Sequence, residues 1–381
     1  MNTKSLLLAV PLLLLAVVIY FFAAAREPVW QWQLPAYFPE PRVPADNPML
    51  EAKFQLGRAL FYDKRVSGNG TLACAGCHLQ NLAFTDGKAV ATGSTGMHTA
   101  RSAQGLANVA YYTTYTWANF SLATLERQML VPLLGEFPVE MGLNDTNIPV
   151  MLKRLSDDTD YAQRFAKIFP DTAQPINLEN VIKAIATFER GLISATSKYD
   201  EFLARRATLT AQQEHGRSLF FSEQAQCTQC HSGFNFSDQT TLANDTKLTT
   251  PFHNTGLYNV DGKGGFPEGN RGIFELSNKP ADMGAFRAPS LRNVALTAPY
   301  MHDGSIATLP DVLKFYAGHG RTITTGENQG DGRANPFKDE RVARIKLNES
   351  EQADVIAFLH TLTDESFLTN PRFAEPKNVT H

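Results

Sequence analysis

All four cysteines of this chain fall in two copies of one short pattern, Cys74-Ala-Gly-Cys77-His78 and Cys227-Thr-Gln-Cys230-His231. Two thiols three positions apart in one helical turn can each form a thioether with a vinyl group of haem. The histidine that follows then lies under the iron as its proximal ligand. A zinc or thioredoxin-like site uses the same pair of cysteines. Two copies that consume every cysteine leave no thiol for a disulfide or a further zinc ligand, and so favour two covalently bound haem c groups. Cys74, Cys77, Cys227 and Cys230 are the predicted attachment residues, and His78 and His231 the predicted iron ligands.

The flanking residues repeat as well. Leu56-Gly-Arg-Ala-Leu-Phe-Tyr62 precedes the first motif and His215-Gly-Arg-Ser-Leu-Phe-Phe221 the second. Phe84-Thr-Asp86 answers Phe236-Ser-Asp238, and Gly105-Leu-Ala-Asn-Val-Ala110 answers Ser290-Leu-Arg-Asn-Val-Ala295. Ser121-Leu-Ala-Thr-Leu125 answers Ser305-Ile-Ala-Thr-Leu309. This predicts a mainly α fold of two c-type cytochrome domains related by internal duplication, with the haems facing across a pseudo-twofold interface.

Reactivity depends on the sixth position of each iron. An iron with a strong second ligand passes electrons, and one with an open face can bind peroxide. Extending the Ser121/Ser305 alignment without gaps sets Pro132 opposite Tyr316. Proline cannot ligate iron, whereas tyrosinate can, as in catalase. Tyr316 is therefore either the cap of the second haem or a core aromatic beside Phe315. Gln128 lies one helical turn before Pro132, so both face one way. Glu136 or Glu140, just beyond, can supply the acid/base that moves a proton between peroxide oxygens, or both are solvated loop residues. His98 reads as an exposed loop histidine rather than a distal one. Trp117, just before the Ser121 repeat, is either an electron relay between haems or a packed core residue.

The elements that must carry these residues follow from periodicity. Asn47-Pro48 reads as an N-cap with proline at the first helical position, opening a helix from Glu51 to Phe61. A Gly/Thr/Ser-rich loop covers about 85–104. Thr124 to Val131 has helical spacing and should end at Pro132. One helix is expected from Asn177 to Leu203, with Val181, Ile182, Ile185, Phe188, Leu192 and Ile193 at helical intervals. Ala211 to Phe221 leads into the second motif, and about 232–285 is irregular. A short helix runs from Thr308, as cap, to Tyr316, and a final amphipathic helix from Ser350 to Thr363. Strand signals are few. The domains expected are 47–205 and 206–381, after an extended arm at 26–46; residues 26 to 48 hold six prolines.

With 381 residues, 43% apolar and 19% charged, the chain can bury a core in each domain. Its net charge of −3 lends no electrostatic support to nucleic-acid binding. Lys4 is followed by an apolar run from Leu6 to Ala25, with three alanines before Arg26. This is the pattern of an export signal, or of a membrane anchor if left uncut. Either way the remainder is exported to the periplasm, where bacteria attach haem c.

Taken together, these residues resemble the bacterial di-haem cytochrome c peroxidase/MauG superfamily over roughly 45–363. The resemblance rests on Leu60-Phe-Tyr-Asp-Lys-Arg-Val-Ser-Gly-Asn-Gly70, the two CxxCH motifs, Ala83-Phe-Thr-Asp-Gly87, Pro138-Val-Glu-Met-Gly142 and Leu296-Thr-Ala-Pro-Tyr-Met-His-Asp-Gly304. Gly93-Ser-Thr-Gly96, Asn108-Val-Ala-Tyr111 and Thr116-Trp-Ala-Asn119 look most like the methanobactin-associated MbnH-type branch. The resemblance implies Tyr316 as iron ligand, where the peroxidases have methionine, and Trp117 as the inter-haem tryptophan. It implies a distal pocket of Gln128, Pro132 and Glu140; two extra residues between the last two keep Glu136 a rival. It also implies a calcium ion held by the carbonyls of Thr297 and Pro299 and by a side chain at Ser102, where the family has asparagine. A serine oxygen is a weaker ligand, which puts calcium in doubt. The histidine that closes the resting haem in many peroxidases has no clear counterpart; its place falls near Ser94. The implied activity is reaction of hydrogen peroxide at the first haem, with the oxidising equivalents shared over both irons and used on a partner protein, in the MbnH-type branch a copper-binding one. The alternatives are a cytochrome c peroxidase fed by a small electron-donor cytochrome, and a di-haem carrier without peroxide chemistry.

Overall fold

The computed structural model describes residues 30–377. The expected export signal or anchor at 1–25 lies outside them. Among the described residues no helix is long and apolar enough to cross a membrane.

The fold is mainly helical. Residues 30–46 form neither helix nor strand, as their four prolines dictate, and turn at Pro35–Phe38 and Pro44–Asn47. Helix α1 spans Glu51–Tyr62, α2 Leu125–Gln128, α3 Leu130–Leu134, α4 Ile148–Ser156, α5 Thr159–Ile168 and α6 Leu178–Arg190. Then come α7 Lys198–Leu203, α8 Ala211–Phe220, α9 Phe274–Ser277, α10 Leu309–Ala317, α11 Glu349–His360 and α12 Glu365–Thr369. Two short antiparallel strands, Thr322–Ile323 and Gly330–Asp331, pair Thr322 with Asp331 and Ile323 with Gly330.

Two helix pairs organise two cores. In the first, α1 packs on α6 and buries Phe54, Leu56, Leu60 and Phe61 against Val181, Ile185 and Phe188. In the second, α8 packs on α11 and buries Leu219 and Phe220 against Val355, Phe358 and Leu359. Each fully buried side chain of this kind contributes about 1.5–3 kcal/mol. The two pairs cross at the same position of the sequence repeat. A Cβ at Gly57 would stand 1.9 Å from the Ala184 carbonyl oxygen, and one at Gly216 would stand 1.8 Å from that of Asp354. Only glycine lets the backbones approach so closely. A third cluster, around Leu257, Phe266, Phe286 and Phe315, gathers the irregular segment against α10.

Four local expectations are corrected. Asn47 does not cap α1, which begins after Leu50 without a side-chain cap. Fully buried, Asn47 instead receives Lys53 Nζ on its Oδ1 at 2.7 Å and donates Nδ2 to Glu126 Oε1 at 2.7 Å, so tertiary bonds take its capping groups. The helix expected over 177–203 is two. Asn177 caps α6, which stops at Gly191, where a Cβ would stand 2.4 Å from the Phe54 ring; the chain then runs non-helical until Ser197 caps α7. The helical run from Thr124 does not end at Pro132. It breaks at Met129, and Pro132 sits in the first turn of α3, where its missing N–H breaks no intrahelical bond. Finally, α11 is followed by α12, so it is not the last helix.

Candidate active site

Each Cys-x-x-Cys-His motif forms a 3₁₀ turn, Cys74–Gly76 in the first and Cys227–Gln229 in the second. His78 donates its Nδ1 proton to the Phe84 carbonyl at 2.7 Å. His231 Nδ1 lies 3.1 Å from the carbonyls of both Phe236 and Pro289. Carbonyls only accept, so Nδ1 carries the proton and Nε2 is the nitrogen left to bind a metal. Burial lowers both imidazoles below their ordinary value, which keeps them neutral. Phe84 and Phe236 adopt left-handed backbone, φ 62 and 51, a conformation that costs a bulky residue about 1–2 kcal/mol. It recurs at the two places where a carbonyl must meet a histidine.

Each motif opens onto a cavity. Cys74, Cys77 and His78 line one of ≈ 650 Å³, and Cys227, Cys230 and His231 line one of ≈ 260 Å³. Burial pushes the Cys77 thiol up to about 11 and raises those of Cys74 and Cys227. Paired thiols on a cavity wall beside an imidazole with Nε2 free fit haem c at both places. One cluster of metal-ligating atoms within 4.8 Å occurs among the described residues, Cys230, Asp238 and His253. Both ring nitrogens of His253 are already committed, to Asp238 at 2.7 Å and Asp339 at 3.1 Å, and Cys230 belongs to the haem motif.

The first cavity gathers Gln128, Pro132, Glu140 and Trp117, but not Glu136, which is exposed. Gln128 ends α2, whose cap Thr124 accepts from Arg127 N. Glu140 is fixed through its backbone. Its carbonyl accepts from Ser94 N at 2.7 Å, and the next residue, Met141, donates to the Pro132 carbonyl at 2.8 Å. The Gly/Thr/Ser-rich loop thus clamps the glutamate, and Gly93 is needed because a Cβ would stand 1.9 Å from the Val139 carbonyl oxygen. Burial raises the Glu140 carboxyl toward its protonated form. His98 is exposed on that loop, as expected.

The second cavity holds Tyr316, presented by α10 with Thr308 as cap. Tyr316 is half-buried on the cavity wall, and burial pushes its phenol up. Thr297, Pro299 and Ser102 line the same cavity. The Ser102 hydroxyl lies 3.4 Å from the Met301 carbonyl and 3.5 Å from that of His302.

Six residues line both cavities: Ser102, Ala103, Gln104, Gly105, Tyr112 and Trp117. Tyr112 and Gln104 escaped sequence reasoning. So did Glu189, which faces the first cavity and whose carboxyl burial lifts from 4.5 to about 8. Its signal was available: Glu189 follows Ile185 by four on α6, a carboxylate on a helix's apolar side.

The di-haem cytochrome c peroxidase family profile matches residues 51–208. The cytochrome-c peroxidase IdrP1 of Denitromonas iodatirespirans is 34% identical over 336 residues, 84% of this chain and 84% of that protein. The methylamine utilization protein MauG of Methylorubrum extorquens is 31% identical over 336 residues, 88% of this chain and 84% of its own. A solved structure, described as a MauG-like protein associated with microbial copper homeostasis, superposes with a TM-score of 0.90 at 52% identity, covering 91% of this chain and 99% of that one. The chain belongs to the di-haem cytochrome c peroxidase and MauG family of haem-dependent oxidoreductases.

Proposed function

We propose that this chain is an exported, periplasmic oxidoreductase that consumes hydrogen peroxide at the His78 cavity and oxidises a partner protein at a distance. The observation that carries the reading is the asymmetry of the two cavities. One is lined by Gln128, Pro132 and Glu140 as well as by His78, and the smaller one by Tyr316 as well as by His231. We further propose that 47–205 and 206–381 are duplicated haem domains facing across a pseudo-twofold. The matching glycine crossings, threonine caps and phenylalanine carbonyls support this, as do the six residues common to both cavities.

When bound, the two haems supply a peroxide-reactive iron and a second iron that stores oxidising equivalents. Cys74, Cys77, Cys227 and Cys230 would hold them by thioether bonds, and His78 and His231 would ligate through Nε2. Pro132, which lines the first cavity, offers no donor atom and would leave a face of that iron open to the oxidant. Gln128 could hold the oxidant by its amide, and Glu140 would move the proton between the two peroxide oxygens. Tyr316, which lines the second cavity, would hold the other iron through its phenolic oxygen. Trp117, in the wall common to both cavities, would carry electrons between them. Overall, hydrogen peroxide takes up two electrons and two protons to give two waters, and the partner loses two electrons. The 52% identical structure associated with copper homeostasis supports a copper-binding partner. A calcium ion would rest on Ser102 and the Thr297 and Pro299 carbonyls. These are neutral oxygens without a carboxylate, so the site is weak and enters no step.

The second reading is a peroxidase fed by a small cytochrome, favoured by the name of the IdrP1 relative. An optical titration separates the two. With partner oxidation, peroxide added to the fully oxidised protein produces a near-infrared band without prior reduction. A requirement for half-reduction supports the peroxidase, and no response overturns both.

A further inference from the structure

Three arginines are buried among the described residues, and two of them are paired with carboxylates: Arg190 with Glu126 at 2.7 Å and Arg292 with Asp200 at 2.9 Å. The third, Arg287, is 2% exposed and has no carboxylate partner among those residues. Its Nη2 donates to Gln104 Oε1 at 2.5 Å and its Nε to the Thr116 carbonyl at 3.1 Å. Its guanidinium stacks over the Tyr112 ring at 4.0 Å. Its Nη1 is buried without a partner, and so is Nε2 of Gln104. Both side chains line the second cavity, and Gln104 lines the first as well.

An unpaired buried cation costs several kcal/mol, and a buried N–H left without an acceptor adds to that cost. The arrangement makes sense once a carboxylate enters from the cavity, because a guanidinium fork with a neighbouring amide N–H matches two carboxylate oxygens. We propose that Arg287 and Gln104 form a carboxylate site in the partition between the cavities, and that its ligand is a propionate of the haem held by Cys227, Cys230 and His231. This rests on the reading that haem occupies the second cavity.

Arg287 is then also a positioning residue. Its backbone N–H donates to the Trp117 carbonyl at 2.8 Å and its side chain to that of Thr116, a residue in left-handed backbone at φ 67. One residue ties the seating of the second haem to the turn that carries Trp117.

The test uses the two-haem protein with haem carrying ¹³C-labelled propionates, followed by redox-difference infrared spectroscopy and spectroelectrochemical titration. Arg287→Gln should shift the labelled carboxylate bands. At the unaltered protein's midpoint it should also raise the oxidised-to-reduced ratio of the second haem about tenfold, as the loss of one charge-assisted bond predicts, and leave the first haem unmoved. Arg287→Lys should retain most of the effect. Gln104→Glu, with Arg287 in place, supplies a competing carboxylate and should shift the same bands, which guards against misfolding of the Arg287 variants. Unmoved bands and midpoints in all three variants overturn the proposal. So does a second-haem midpoint that follows chloride concentration at constant ionic strength, since the site would then hold a free anion. A preparation with one haem by pyridine haemochrome assay overturns the two-haem reading beneath it, a different failure.

Discussion

Trp117 donates its indole N–H to the carbonyl of Ser102 at 2.9 Å, and both residues line the two cavities. The bond fixes the ring plane in the partition between the predicted haems. Trp117→Phe keeps an aromatic ring but strands the Ser102 carbonyl, at a cost of about 1 kcal/mol in denaturant unfolding. Partner oxidation should fall far more than peroxide consumption with a small reductant. Equal losses would mean that Trp117 packs the partition and does not relay.

Tyr316→Phe keeps the shape of the second cavity and removes the phenolic oxygen. The visible spectrum of the second haem should change its ligation signature while that of the first stays constant. A spectrum identical to the parent's would remove Tyr316 from the iron.

Glu140 lines the first cavity and Glu136 does not. Glu140→Gln should slow reaction with peroxide by about 10²–10⁴-fold, the usual contribution of a proton-transfer group. Glu136→Gln should leave the rate within about twofold, since no contribution of that kind is lost. Stopped-flow mixing with peroxide reads both, and the reverse order would exchange their roles.

Glu189 makes stability depend on pH. Burial raises its carboxyl from 4.5 to about 8, so the folded state binds this proton more tightly than the unfolded state does. Its contribution is fully present below about pH 4.5 and is lost as pH rises toward about 8. Glu189→Gln should flatten urea-unfolding stability across that window. A parent with no pH dependence there would place the carboxyl in a wetter site.

Gly57→Ala and Gly216→Ala each drive a methyl group into a carbonyl oxygen of the opposing helix. Each should cost about 3 kcal/mol or more in thermal or denaturant unfolding, the upper range for overpacking. A small cost at either position would mean that the helix pair can slide apart.

What the sequence determined by itself was whatever depends on short spacing. The paired cysteines with the histidine after each, the helix start at Thr308 and the proline arm follow from residues a few positions apart, and a gap-free repeat sufficed to set Pro132 against Tyr316. Tertiary structure decided whatever depends on what lies opposite. Asn47 has the form of a cap but is drawn into bonds with Lys53 and Glu126, because two other segments converge on it. Apolar periodicity runs on past Arg190, yet the helix ends at Gly191, where the Phe54 ring leaves no room for a side chain, and the chain is non-helical until Ser197 caps the next helix. Glu136 and Glu140 are equivalent in composition; only the clamp from Ser94 and Met141 turns one toward the cavity and leaves the other in water. Gln104, Tyr112, Glu189 and Arg287 carry no motif. They matter because segments distant in the chain meet around the two cavities, where burial removes the water that would otherwise satisfy their charges and hydrogen bonds.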